Sequence, residues 1–271
     1  MNLRNLTNLD LNKTVWRYMP FSKFISLITY KALWFSKLNI LQDEYEGMIP
    51  SNVRTAMNQD NQKWKSQFNT PEFHRQIDNW PAENENDGRE LIVVNCWFLG
   101  DEESKIMWNQ YGKFNEAVAI KTTIGQLAHY VLMPDDDNIS HIGLVSYVDH
   151  DNHKMSFYEA NQAHERAFLK DTNRFSHEQE LRLCTMSLKT TNCISMEGRQ
   201  YTREEVESKK MNNFNNPGLY IGVKLKELIT EIVVCPNAQD WFTKMVARIV
   251  DLNGLNAKVS LSKLDGLQSK K

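Results

Sequence analysis

The chain predicts an α+β fold, one mixed domain with insertions over residues 1–271. Three observations carry that reading. Short apolar runs of strand type and segments of helical period follow one another in irregular order. No Pro/Gly-rich linker divides the chain, and no internal repeat is visible. The composition, 41% hydrophobic and 24% charged, suits a chain that buries a core and argues against wholesale disorder.

Along the chain, VWRYMP (15–20) reads as a short strand ended by Pro20. FSKFISLITYKAL (21–33) sets Phe21, Phe24, Ile25, Leu27 and Ile28 at helical spacing, with Ser22 available as a cap. ALWFSK (32–37) is a second strand, and DEYEG (43–47) an acidic turn. From Asn52 to about Gly88 the chain is polar, with Trp64, Phe73, Ile77 and Trp80 spaced as on amphipathic helices that give way to a loop at PAENENDG (81–88). LIVVNCWFLG (91–100) is nearly all apolar, as in a buried central strand. ESKIMWNQYG (103–112) is a short helix closed by Gly112, and EAVAIKT (116–122) a strand. IGQLAHYVLM (124–133) is helical, MPDDDN (133–138) a turn and GLVSYVDH (143–150) a strand.

MSFYEANQAHERAFLK (155–170) reads as a helix and FSHEQELRL (175–183) as a strand. Residues 187–217 are charged and asparagine-rich, as in an insertion or mobile loop. LYIGVKL (219–225) and LITEIVVCP (228–236) are strands, the second stopped by Pro236. Asn237 caps a helix whose Trp241, Phe242, Val246, Ile249 and Val250 form one apolar stripe. Asn253 and Gly254 end that helix, and AKVSLSKL (257–264) is a last strand.

Charge and cysteine usage narrow the class. The formal net charge of −2 lacks the basic excess of a duplex-wrapping protein, which leaves nucleic acid a local patch or single-strand stacking. Cys96, Cys184, Cys193 and Cys235 form no C-x-x-C pair, and no histidine sits at zinc-ligand spacing beside them. Cys96, Cys184 and Cys235 lie in apolar runs as small core hydrophobes. The polar start MNLRNLTNLDLNK has no signal-peptide core, and no run is long enough to cross a bilayer. A reduced, soluble, cytoplasmic protein with no membrane partner is expected.

The chemistry centres on Glu178 and Glu180, which flank Gln179. On a strand, side chains two apart share a face, so the two carboxylates stand about 7 Å apart. Like charges so close lift one pKa unless a cation or ligand separates them. The plain alternative is a solvated edge strand with Arg182 as partner. Arg17 would clamp a pyrophosphate, and Tyr18, Trp108 or Tyr111 would stack on a base or nicotinamide ring. Glu180 would bond a ribose hydroxyl and stabilise an oxocarbenium-like cation, with Glu178 orienting the nucleophile. Each piece has a structural counterpart: Arg17 as an edge cation, Trp16, Trp108 and Tyr111 as core, the acidic turn as a solvated loop. Neither G-x-G-x-x-G, Walker A, G-x-S-x-G nor H-E-x-x-H is present.

The ordered set WRYMPF, LWFS, QDEYEG, NCWF, IMWNQYG, VSYV, FLKDTNRFSHEQELRL and VVCPNAQDWF resembles a widespread bacterial and prophage-associated family of unknown function, over residues 14–242. Two features depart from it. The Asn-Asp-Pro box reads Asp43, Glu44, Tyr45, Glu46 without proline, and Cys-Phe-Ser reads Cys96, Trp97, Phe98 without serine. The family's layout is similar to ADP-ribosyltransferases, including those that modify nucleic acid. That resemblance implies a central split sheet and NAD as substrate, with no metal. Arg17 takes the first NAD-binding position, Glu180 is the catalytic glutamate, and Glu178 presents the acceptor. Ser36 or the Cys96–Trp97 strand fills the middle motif.

By the same resemblance the protein is a toxin in phage defence or a toxin–antitoxin system. It acts on nucleic acid (single-stranded) or protein, with an antitoxin as partner. Two other classes compete. One is a metal-dependent nuclease or phosphodiesterase built from Asp43, Glu46, Glu178 and Glu180. The other is a non-catalytic sensor of a nucleotide or phage protein.

Overall fold

The computed structural model describes residues 1–112, 115–133, 140–187, 193–194 and 216–264. The first elements are β1 (Asn2–Arg4), β2 (Thr14–Pro20), α1 (Phe21–Tyr30), β3 (Ala32–Lys37), α2 (Ser51–Gln67), α3 (Pro71–Leu91) and β4 (Ile92–Leu99). Next come α4 (Lys105–Tyr111), β5 (Ala117–Thr123), α5 (Ile124–Tyr130), β6 (His141–Leu144) and β7 (Ser146–Val148). They are followed by α6 (Phe157–Asn161), α7 (Ala163–Arg166), β8 (Leu169–Asp171), α8 (Thr172–Phe175), β9 (Glu180–Met186) and β10 (Cys193–Ile194). The last are β11 (Gly218–Gly222), α9 (Leu225–Leu228), β12 (Glu231–Val234), α10 (Asp240–Leu252) and β13 (Lys258–Leu261).

The predicted α+β class holds. One mixed sheet runs β1-β6-β9-β4-β2-β5-β12-β13, and β3, β11 and β10 branch from β4. The branch is a fork. One edge of β4 pairs with β9 from Ile92 to Phe98. Its other edge pairs with β3 at Val93 and Val94, then with β2 at Phe98 and Leu99. These registers leave Asn95–Trp97 without a strand partner on that edge, and side chains fill the gap. Asn95 Nδ2 donates to the Trp34 carbonyl (2.8 Å), and Arg17 Nη1 donates to the Cys96 carbonyl (2.5 Å). Buried backbone carbonyls need such partners, so the fork is specified rather than frayed.

Apolar packing holds the sheet. Phe24, Leu27, Phe35, Ile120, Phe242 and Val246 belong to the largest buried cluster. A second cluster sets α4 against β2 and β12 through Trp16, Tyr18, Trp108 and Val233. Each such buried side chain contributes about 1.5–3 kcal/mol.

Several expected boundaries move. Residues 81–88 are helix, not loop: Pro81, Glu85 and Gly88 form the buried face of α3. Glu85 accepts from the Ile49 amide (2.7 Å) and pairs with Arg54, so a polar-looking stretch packs through a carboxylate. α1 begins two residues earlier than a Ser22 cap would set it, on Pro20, and Lys31 at φ 49° stops it before residues 32–33. The strand expected over 143–150 breaks at Val145, whose amide bonds the Glu180 carbonyl, and β7 leaves to pair with β8. The helix expected over 155–170 divides into α6 and α7 and ends in a strand.

The polar start forms β1, parallel to β6. Residues 225–228 are helical, and β12 starts only at Glu231. Gln239, not Asn237, caps α10; Asn237 is a turn residue at φ 63°, and Trp241 is 55% exposed, off the buried stripe. Of the segment 187–217, Cys193–Ile194 pairs with β11 and is not an unstructured loop; 188–192 and 195–215 lie outside the described residues, as do 134–138 of the expected turn.

Candidate active site

Antiparallel register assembles the site. Residues directly opposite across two strands share a face. Glu180 lies opposite Phe98, Arg182 opposite Cys96, Ser36 opposite Val94 and Trp34 opposite Tyr220. All eight line one cleft of about 1150 Å³ at the fork. Residues from both faces of β2 line it, Trp16 and Tyr18 from one and Arg17 and Met19 from the other, so the cleft runs into the gap between β2 and β3.

The acidic pair is built differently from the sequence pattern. Glu178 lies in a 3₁₀ turn (Ser176–Glu178), Gln179 takes φ 39°, and β9 begins at Glu180. Strand alternation therefore does not align the two carboxylates; a lysine does. Lys170 Nζ on β8 sits 2.5 Å from Glu178 Oε2, 3.0 Å from Glu180 Oε2 and 3.8 Å from Glu46 Oε1. Arg182 completes the network. Its Nε and Nη2 reach Glu180 at 2.6 and 3.1 Å, while Nη1 and Nη2 reach the two Glu46 oxygens at 2.6 Å each. Arg182 is therefore the buried partner of both acids, not a cation on a solvated edge.

The charges settle accordingly. Burial pushes the Glu180 carboxyl up, but Arg182 and Lys170 outweigh it and hold it well below the ordinary range. Burial dominates at Glu46 and raises its pKa despite Arg182. Burial works against the Lys170 charge as well, yet Glu180, Glu178 and Glu46 keep it firmly protonated. Burial, the Glu180 charge and a hydrogen bond to Glu180 raise the Cys96 thiol, so Cys96 is a neutral donor there and not a thiolate.

The cleft also holds Arg17 and Lys23, two cations outside this network. Among the described residues Arg17 donates to the Cys96 carbonyl alone, and it lies 6.0 Å from the Trp97 ring centre. Among the described residues it has no carboxylate within ion-pair distance. Burial lowers its pKa, and Cys96, Tyr111 and Glu180 partly offset this. Lys23 on α1 stands exposed at the rim, also without an acidic partner among the described residues.

Of the residues singled out in the sequence, Arg17, Ser36, Tyr111, Glu178 and Glu180 meet in this cleft. Tyr18 touches it but is only 4% exposed. Its ring packs edge-on to Trp108 at 4.8 Å, and its hydroxyl accepts from the Ser104 amide at 2.8 Å. Trp108 does not line the cleft; it is fully buried, with Nε1 bonded to Glu103 at 2.9 Å. Both rings hold α4 on the sheet and are unavailable for stacking on a ligand. Glu46 and Asp43 come from the acidic turn and are buried, not solvated.

Sequence reasoning missed Lys170, Trp34 and Tyr220. A signal existed for two of them: two acids so close require a cation, and Trp34 alternates with Ser36 against buried Leu33 and Phe35. Among the described residues no group of three or more His, Cys, Asp or Glu is arranged to hold a metal ion. None of their helices is long and apolar enough to cross a membrane. Compared with protein-family models and with curated proteins, the chain matches none.

Proposed function

We propose that this protein is an NAD-dependent ADP-ribosyltransferase, a toxin of phage defence or of a toxin–antitoxin pair, with nucleic acid or protein as acceptor. One observation carries the reading: Arg17, free of any carboxylate partner among the described residues, faces the same cleft as Tyr111, Glu178 and Glu180. NAD would supply the ADP-ribosyl group, with nicotinamide as leaving group.

The chain's own groups suit the task. Arg17 neutralises a pyrophosphate through its free guanidinium edge. Glu180 stays ionised and offers negative charge where positive charge develops at the ribose. Each carboxylate oxygen accepts about two hydrogen bonds. Glu180 Oε2 is filled by Lys170 and Arg182, whereas Oε1 accepts from Arg182 Nε alone among the N–H donors of the described residues. A ribose hydroxyl fits the remaining position on Oε1. Glu178, more open to solvent than Glu180, accepts the proton of the incoming nucleophile. Lys170 weighs against a metal-dependent nuclease, because its ammonium already stands between Glu178 and Glu180.

The test is transfer of label from NAD to components of a cell extract. Wild type is expected to transfer it, and both Glu180→Gln and Glu178→Gln to lose about a hundredfold or more in rate. Thermal unfolding of each variant separates lost chemistry from lost fold. Wild type that transfers nothing, or a folded Glu180→Gln that transfers as well as wild type, overturns the proposal.

A further inference from the structure

A wall of the cleft away from the acids carries a function of its own. Trp34 and Tyr220 pack edge to face at 4.9 Å and 68°, both partly buried and both lining the cleft. Tyr30 supports Tyr220 from 5.0 Å, and the Tyr220 hydroxyl is 2.9 Å from Ser26 Oγ. Gly218 lies directly against the indole: a Cβ there would come within 2.7 Å of the Trp34 ring. The platform is thus held rigid by a glycine, a hydroxyl and a second ring. Lys23, one turn before Ser26 on α1, and Arg17 bring two cations to the same cleft with no carboxylate partner among the described residues.

We propose that this wall is a nucleotide subsite, in which a base stacks on Trp34 and Tyr220 while its phosphate meets Lys23 and Arg17. Flat aromatic faces beside unpaired cations are the elements that bind a base and its phosphate without reading sequence. The stacking role expected of Tyr18 and Trp108 thereby passes to a pair facing open space. The subsite does not depend on the transfer chemistry of Glu180, since a nucleotide sensor would use it equally. The nucleotide would come from either of two sources, the adenylate half of a dinucleotide or one unit of a single strand.

Calorimetric titration of the full chain with ADP, adenosine, ADP-ribose and a short single-stranded oligonucleotide tests this. ADP is expected to bind, with adenosine about fivefold or more weaker. Trp34→Leu and Tyr220→Leu should each raise the ADP Kd about tenfold. Lys23→Ala, an exposed change that leaves the fold intact, should weaken ADP but not adenosine. Tighter binding of ADP-ribose assigns the subsite to the dinucleotide; tighter, salt-sensitive binding of the oligonucleotide assigns it to a single strand. Failure of wild type to bind any of the four overturns the subsite, as does binding unmoved by both Tyr220→Leu and Lys23→Ala. Label transfer by wild type that binds none of the four separates failure of the subsite from failure of the transfer reading, and loss of transfer in Glu180→Gln leaves the subsite standing.

Discussion

Two groups of residues lining the cleft treat charge in opposite ways. In one, Glu46, Glu178 and Glu180 are all tied to Lys170 or Arg182, closing a network within the protein. In the other, Arg17 and Lys23 have no acid to meet among the described residues, and Trp34 and Tyr220 face open space. The charges of the first group are balanced within the protein, so removing one of its cations should be felt in stability. The second is left for something else to complete, and disturbing it should be felt in binding.

That division can be broken most forcefully at Arg182. Arg182→Met strands two buried carboxylates and should cost about 3–5 kcal/mol, read from the urea midpoint. A loss under about 1 kcal/mol would mean the network relaxes freely and the contrast is false. Lys170→Met removes the cation between Glu178 and Glu180 and should cost about 2–3 kcal/mol by the same measurement.

Acid sharpens the contrast further. Glu180 has a folded pKa held below the ordinary 4.5, despite burial, by Arg182 and Lys170. Just below 4.5 the unfolded chain binds this proton and the folded chain does not, so stability rises with pH in that window. The advantage of wild type over Glu180→Gln should therefore be full above 4.5 and shrink as the pH falls below it. Urea midpoints from about pH 6 to about pH 3 check the sign. Smallest is Tyr18→Phe, which leaves the Ser104 amide without its acceptor and should cost about 1 kcal/mol with no change in nucleotide affinity. A large affinity loss there would return Tyr18 to the ligand.

Much of this arrangement can be read in the chain, and the misses have physical causes. β2, β3, β4, α4 and β5 announce themselves through apolar periodicity, because burial there depends on alternating side chains. That Arg17 and Glu180 would line one cleft is expected only through the resemblance to ADP-ribosyltransferases, and both do line it. Lys170 was hidden because the turn from α7 to β8 leaves AHERAFLK with a helical look. The geometry of Glu178 was hidden by Gln179, a non-glycine residue in the left-handed region that no pattern announces. Helix over 81–88 was hidden by composition, since its buried face carries Pro81, Glu85 and Gly88 in place of aliphatics. Tyr18 and Trp108 were misassigned because a sequence shows that an aromatic is present but not which way it faces.

Glu103 links the cleft to the far edge of the sheet. Its carboxylate accepts from Trp108 Nε1, from the Ser262 hydroxyl just past β13 and from the Lys263 amide at 3.1 Å. Tyr111 rides on the helix that Trp108 anchors, so one carboxylate moors that helix to the end of the last strand. Slack introduced around Ser262 would then loosen the aromatic rim of a cavity several strands away, without altering any residue that lines it.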